Sequence, residues 1–283
     1  MNTILVRFLC ILVGYAFGLI QTAYIYGRMK GIDIRQHGSG NAGTTNVLRT
    51  LGTKAGIIVF FGDQFKALFA VKIVQFTFGS FVCPELKYLL MIYAGIGVVL
   101  AHDFPPYLHF KGGKGIAATS GLMLGYHWVM IVTGLVTFFG TFVLTHFVSL
   151  GSIMLYLGFV IALIIMGQNG WLGYTDASGT MIPMDQPALI EAYILAGLML
   201  VLTLVLHRAN IGRLIHGCER KTYLFKKNKE QLDLNKDAQS SEDNKNSANE
   251  NSANENSANE NSADVNSAEN NSVEENTAEE SDK

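Results

Sequence analysis

Lys111-Gly112-Gly113-Lys114-Gly115 stands between segments oily enough for lipid. A glycine run lets backbone N–H groups turn toward one anion, and the lysines add point charges. A second stretch of the same character is Gly38-Ser39-Gly40-Asn41-Ala42-Gly43-Thr44-Thr45-Asn46, followed by Arg49. Ser39, Thr44 and Thr45 bring hydroxyls, and a helix starting near Thr44 aims its positive end at the loop. It is not a Walker A loop, because no Lys-Ser/Thr follows the last glycine. The third stretch is His207-Arg208-Ala209-Asn210-Ile211-Gly212-Arg213, in which His207, Asn210 and Arg213 share a face if it is helical.

Each stretch alone has a plainer explanation. A Gly/Ser run makes turns, interfacial lysines snorkel to lipid phosphates, and a basic patch often follows a last membrane span. Three such clusters on one side of an apolar bundle fit a phosphate-bearing reactant and a partner with a fatty tail.

The elements that must position them are helices in a membrane. Ile4–Tyr26, Ala55–Phe81, Leu86–Ala101, Trp128–Phe147, Leu150–Gly167 and Ala188–Leu206 are apolar windows near the length of a bilayer crossing. Basic residues gather in 28–54, 102–114 and 207–229, whereas 168–187 has none, so the three basic segments are expected in the cytoplasm and 168–187 outside. The path from 114 to 168 must then cross an odd number of times, which makes Gly115–His127 a short third crossing or a half-helix meeting a cavity. The expectation is an all-α integral membrane protein of about seven helices, N-terminus outside and C-terminus cytoplasmic. Asp63 and Lys66, at i and i+3 inside the second window, are expected to pair as intramembrane support, since ionisable groups at that depth are costly.

Charge divides the chain. Through Lys229 there are 18 Lys+Arg against 8 Asp+Glu, and from Glu230 onward 3 against 15, which together give the net charge of −2. Residues 1–229 are therefore expected to form the membrane domain. Residues 230–283, with NSANE-type repeats, are expected to be a disordered acidic tail with too little apolar surface to order itself. Cys10, Cys83 and Cys218 make neither a disulfide framework nor a CxxC metal pattern.

GSGNAGTTNVLRTLG, HDFPPYLHFKGGKGIAAT and HRANIGRLIHGCERK, with GIDIRQH before the first, resemble the three signature motifs of the PlsY-type acyl-phosphate:glycerol-3-phosphate acyltransferases of bacteria. The likeness runs from about Ile4 to Lys221 and leaves the acidic stretch outside. It implies a seven-helix enzyme of the bacterial inner membrane with its motifs on the cytoplasmic side. It implies acyl transfer from an acyl phosphate to the sn-1 hydroxyl of glycerol 3-phosphate, giving lysophosphatidic acid and inorganic phosphate. It implies no acyl-CoA, no metal and no other cofactor. The expected partners are these two substrates and membrane lipid, with no nucleic acid. Thr44 stands where the family usually has Ala, Ala101 where it has Gly, and Gly212 where it has a basic residue. No His here has Asp five positions later, which speaks against the His-x4-Asp class of acyltransferase.

On this reading the catalytic candidates are His207, Ser39, His102 and Asn210. Gly38, Gly40, Asn41, Thr44, Thr45, Asn46, Arg49, Lys111, Gly112, Gly113, Lys114, Gly115 and Arg208 are expected to bind the phosphates. His207 is the first candidate to position or deprotonate the attacking hydroxyl and His102 the second; a substrate phosphate oxygen is the third. A transporter for organic phosphates would use the same loops without chemistry, but no repeated half with matching broken helices supports it. A scaffold organised around the acidic tail would leave the loops unexplained.

Overall fold

The first oily window does not fold as one helix. In a computed structural model describing residues 2–223, α1 (Thr3–Gly18) begins at Asn2, whose Oδ1 accepts the Ile4 N–H at 2.9 Å. It stops at Leu19, and α2 (Thr22–Met29) restarts after Gln21. Carbonyls freed by a break in hydrocarbon must find partners within the protein. The buried Gln21 amide donates to the carbonyls of Gly18, Ala101 and His102 at 3.3, 3.2 and 3.0 Å. Lys66 donates to the Ile20 carbonyl at 2.5 Å.

The basic connection 30–43 leads to α3 (Thr44–Leu51), which starts where the sequence expectation placed a helix. Gly52 turns the chain into α4 (Thr53–Phe76). A π-type turn at Phe78–Val82 and a short turn at Pro84–Leu86 precede α5 (Lys87–Asp103). α1 and α5 pack backbone to backbone: a Cβ on Gly14 would overlap the Ala94 carbonyl, and one on Gly97 the Ile11 carbonyl. Arg7 of α1 makes a two-pronged bond to Glu191 at 2.7 and 2.8 Å, and Tyr93 of α5 donates to the same carboxylate at 2.5 Å.

Pro105 and Pro106 follow the end of α5 and begin the loop to α6 (Ile116–Tyr126). Next come α7 (Trp128–Gly134), a π-type turn at Leu135–Phe139 and α8 (Gly140–Thr145), which form one continuous apolar stretch of 18 residues. α9 (Val148–Gln168) follows. The connection expected outside the membrane is not plain loop: β1 (Gly173–Thr175) pairs antiparallel with β2 (Met181–Pro183), Tyr174 opposite Ile182. Asp176 Oδ1 accepts the Ser178 and Thr180 N–H groups, both at 2.9 Å, and closes the turn. The backbone groups of this connection need partners, and a hairpin supplies them. α10 (Gln186–Leu206), capped by Asp185, runs into α11 (Arg208–Ile215).

Five stretches among the described residues are long and apolar enough to cross a bilayer: Thr3–Met29, Pro84–Leu108, Trp128–Thr145, Val148–Gln168 and Gln186–Leu206. α4 has 24 residues but holds Asp63, Lys66 and Lys72 within its apolar run. α6 has 11 and is mostly buried. The core lies where α5, α6 and α9 meet, with Leu89, Met91, Leu122, Tyr156, Phe159 and Leu163 fully buried. The 230–283 segment expected as a tail lies outside the described residues.

Candidate active site

One cavity of about 490 Å³ is lined by residues from all three motif stretches. The first stretch contributes Ser39, Gly40, Asn41, Thr44, Thr45, Asn46 and Arg49. The second contributes His102, Lys114 and Gly115, and the third His207, Arg208, Asn210 and Arg213. Asp63 lines it as well. Phe60, Phe138, Val148 and Leu206 give it an apolar wall.

The loops reach this arrangement by specific bonds. Gly38 and Gly40 take φ of 61° and 71°, a region that favours glycine. Asn46 accepts the Ser39 N–H at 2.9 Å and donates to the Ile34 and His37 carbonyls, each at 3.0 Å. Asn46 was expected among the phosphate binders; its amide is committed to the loop, so it shapes the site. Ala42 N–H donates to the Gly112 carbonyl at 3.2 Å and joins the first loop to the second.

The glycines between the two lysines also do something other than the sequence suggested. The N–H groups of Gly112 and Gly113 donate to the carbonyls of Asp103 and His102 at 3.1 and 3.0 Å, so they are not turned toward an anion. Their purpose is close approach: a Cβ on Gly112 would overlap the His102 carbonyl, and one on Gly113 would overlap His102 Nε2. Gly38, Lys111, Gly112, Gly113 and Lys66 do not line the cavity, and Lys111 is exposed. Lys114 alone carries the charge of this loop into it.

Helix starts do reach the cavity. The first turns of α3, α6 and α11 line the cavity at Thr44 and Thr45, Ile116 and Ala117, and Arg208 and Ala209. First-turn N–H groups have no partner within their helix, and the aligned dipoles favour negative charge there. The Thr44 hydroxyl is shielded from solvent and has no hydrogen-bond partner among the described residues.

Around Lys114 the groups are tightly linked. Its Nζ donates to Asn210 Oδ1 at 2.5 Å. Asn210 Nδ2 donates to Glu219 Oε1 at 2.7 Å, which also accepts from Ser149 Oγ at 2.8 Å. Arg213 Nε donates to Glu219 Oε2 at 2.6 Å. Burial pushes the Lys114 ammonium down to about 8; Glu219 opposes this and Arg213 adds to it. Burial opposes ionisation of Glu219, but bonds from Asn210, Ser149 and Arg213 outweigh it and hold the carboxyl below its usual range.

The two histidines are held differently. His207 Nδ1 lies 2.9 Å from the Thr203 carbonyl, which can only accept, so Nδ1 carries the proton and Nε2 keeps its lone pair. Burial first and Lys114 second lower its pKa to about 4, so the ring is neutral at pH 7. His102 Nδ1 lies 2.9 Å from Lys66 Nζ. Asp63 pairs with Lys66 at 2.9 Å, as the i, i+3 spacing suggested.

The sequence motifs reached Lys221 but assigned no role to Glu219 or Ser149 and did not foresee the contacts of the segment after α11. Arg49 Nη2 donates to the Arg220 carbonyl at 3.1 Å and to Thr222 Oγ1 at 2.7 Å, and Thr222 N–H donates to the His146 carbonyl at 2.9 Å. Glu219 left one signal, as the sole acid among the bases of 207–229. Ser149 left none, because a serine at the start of an oily helix has no distinguishing context. Among the described residues no three His, Cys, Asp or Glu side chains gather as a metal ion would need.

Residues 8–217 match the family model described as glycerol-3-phosphate acyltransferase. "Glycerol-3-phosphate acyltransferase 2" of Bacillus cereus is 36% identical over 223 residues, 78% of this chain and 98% of the relative. "Glycerol-3-phosphate acyltransferase" of Clostridioides difficile is 38% identical over 211 residues, covering 74% of this chain and 92% of that one. Among solved structures, the glycerol 3-phosphate form of PlsY (YgiH), an integral membrane glycerol 3-phosphate acyltransferase, superposes with TM-score 0.63 at 28% identity. The match covers 78% of this chain and 99% of that one. The lysophosphatidic acid form of PlsY gives 0.61 at 27% identity, over 77% and 96% of the two chains. With several helices fit to cross a bilayer and this kinship over most of its length, the chain is a multi-pass membrane protein that belongs to the glycerol-3-phosphate acyltransferase family.

Proposed function

We propose that the protein transfers the acyl group of an acyl phosphate to the sn-1 hydroxyl of glycerol 3-phosphate, giving lysophosphatidic acid and inorganic phosphate. The observation that carries this reading is the single cavity that unites three helix starts, the cations Arg49, Lys114 and Arg208, and a neutral histidine with an open Nε2. An acyl phosphate is already activated, so the enzyme has mainly to hold two anions and a hydroxyl in attack geometry and stabilise the oxyanion.

The hydroxyl oxygen bonds to the acyl carbon, the bond from that carbon to the phosphate oxygen breaks, and inorganic phosphate leaves. His207 Nε2 takes the hydroxyl proton and passes it to the departing phosphate. Ser39, Asn41, Thr44, Thr45 and the α3 and α6 N–H groups serve one phosphate and the oxyanion. Arg49, Lys114 and Arg208 balance the charge of both phosphates. The acyl chain lies along the apolar wall formed by Phe60, Phe138 and Leu206.

The same cavity supports the topology. It collects residues from 39–49, 102–117, 148–152 and 206–220. These fall on one side of a bilayer if α1 with α2, α4, α5, α6, α7 with α8, α9 and α10 each cross. That makes seven crossings, with the N-terminus outside and the site facing the cytoplasm of a bacterial cell membrane. α6 rises only about 16 Å, and its mostly buried position lets so short a helix sit at membrane depth.

The test is turnover by the purified chain with palmitoyl phosphate and glycerol 3-phosphate. The expected result is one inorganic phosphate released per lysophosphatidic acid formed. Uptake of glycerol 3-phosphate into proteoliposomes without acyl product would replace the reading with transport. The Lys114 environment adds a pH dependence. The ammonium is needed charged, and it is lost as pH rises through about 8. An alkaline limb near pH 8 in kcat/KM is therefore expected, and Lys114→Arg should move it out of range whatever the residual rate. An acidic limb at about pH 6 would belong to the second ionisation of the substrate phosphate, because His207 stays neutral down to about 4.

A further inference from the structure

Lys66 sits within α4, at the break between α1 and α2, and it does not touch the cavity. Its ammonium has three protons and no lone pair. Three partners lie at bonding distance: the Ile20 carbonyl at 2.5 Å, Asp63 Oδ1 at 2.9 Å and His102 Nδ1 at 2.9 Å, with the Gly18 carbonyl further off at 3.4 Å. The side chains of Lys66 and Asp63 are 3% and 1% exposed, so no solvent relieves a mismatch here.

This leaves one arrangement for the imidazole. A protonated Nδ1 would face an ammonium N–H at 2.9 Å, donor against donor. A neutral lysine accepting from Nδ1 would sit beside the Asp63 carboxylate without the charge that pairs it. His102 Nδ1 and Asp63 Oδ1 are 3.7 Å apart, too far for a direct bond. Nδ1 therefore accepts from Lys66, and the ring proton is on Nε2. We propose that Lys66 is a positioning residue that fixes His102 as the Nε2–H tautomer, so that His102 meets the reactants only as a hydrogen-bond donor.

The His102 ring lines the cavity beside Lys114 and Gly115 and is held between Lys66 and the Gly113 backbone. A donor fixed there suits the oxygen on which negative charge grows during acyl transfer. Removal of the hydroxyl proton is then left to His207, whose proton sits on Nδ1 instead. The membrane-buried charge pair thus separates two histidines that sequence alone made rivals for one role. The catalytic part of this inference rests on the proposed acyl transfer; the tautomer does not.

The experiment uses the full chain, labelled with 15N-histidine, in detergent micelles or nanodiscs. The His102 signal is assigned by its disappearance in His102→Gln. Nitrogen shifts of an Nε2–H tautomer in the unmutated protein are expected; an Nδ1–H tautomer or an imidazolium would overturn the proposal, with no variant needed. In Lys66→Met the Nε2–H tautomer should give way to an Nδ1–H ring beside Asp63, which leaves no donor on Nε2. kcat should fall about a hundredfold, the scale of a lost oxyanion donor, with KM within about threefold. An unchanged tautomer with kcat within a few-fold in Lys66→Met would overturn the proposal equally. A donor-only His102 in a chain that makes no lysophosphatidic acid would sink the functional reading alone. An Nδ1–H ring in a chain that makes it would sink this inference alone.

Discussion

Replacing His207 with alanine is expected to lower kcat for acyl transfer by about a hundredfold to ten-thousandfold, the range of a positioned general base, with a smaller change in KM. His207 is 3% exposed, its Nδ1–H is held by the Thr203 carbonyl, and the ring stays neutral because burial and Lys114 disfavour the imidazolium. Each of these features keeps the Nε2 lone pair available at neutral pH. His207→Gln keeps a hydrogen-bonding group but no basic nitrogen, so it should be nearly as slow as the alanine variant. Turnover of His207→Ala within a few-fold of the parent would move the proton to a substrate phosphate oxygen and reduce His207 to a wall of the site.

Gly113→Ala is expected to damage the site almost as severely, although Gly113 does not line the cavity. The added methyl would overlap His102 Nε2, and the Gly113 N–H is pinned to the His102 carbonyl at 3.0 Å, so neither side yields freely. The strain should amount to about 1–3 kcal/mol, as for overpacked cores. Part of it should appear as displacement of Lys114, the next residue. A shift of about 1 Å in a positioning group can cost about a hundredfold in rate. Rising KM for glycerol 3-phosphate together with falling kcat would show that the loop has moved. Gly197→Ala on α10, where a Cβ meets nothing within 4 Å, is the control and should leave both constants near the parent's. Parental constants for Gly113→Ala would remove the close-approach account of these glycines.

The glycine loop shows how far residue type can mislead about role. Glycines flanked by lysines read as an anion cradle, yet Gly112 and Gly113 give their N–H groups to α5 carbonyls and lie against His102. The anion-suited amides belong to the starts of α3, α6 and α11. Asn46 shows the same pattern, as a side chain with donors to offer that the fold had already engaged.

What the sequence determined by itself was everything local or compositional. Apolar runs of bilayer length, the Asp63/Lys66 spacing, the prolines after α5, the helix start at Thr44 and the basic stretches at 28–54, 102–114 and 207–229 are all properties of neighbours along the chain. They sufficed for a helical membrane protein and for a site made of three stretches. Only the tertiary structure decided which donors remain open and what faces Nδ1 of His102 and of His207. It alone placed Glu219 and Ser149 against Asn210, broke the first helix at Gln21 and folded residues 173–183 into a hairpin. The reason is physical: a polar group's role depends on which partner reaches it first, and those partners lie 70 residues away for Ser149 and Glu219 and 36 for Lys66 and His102.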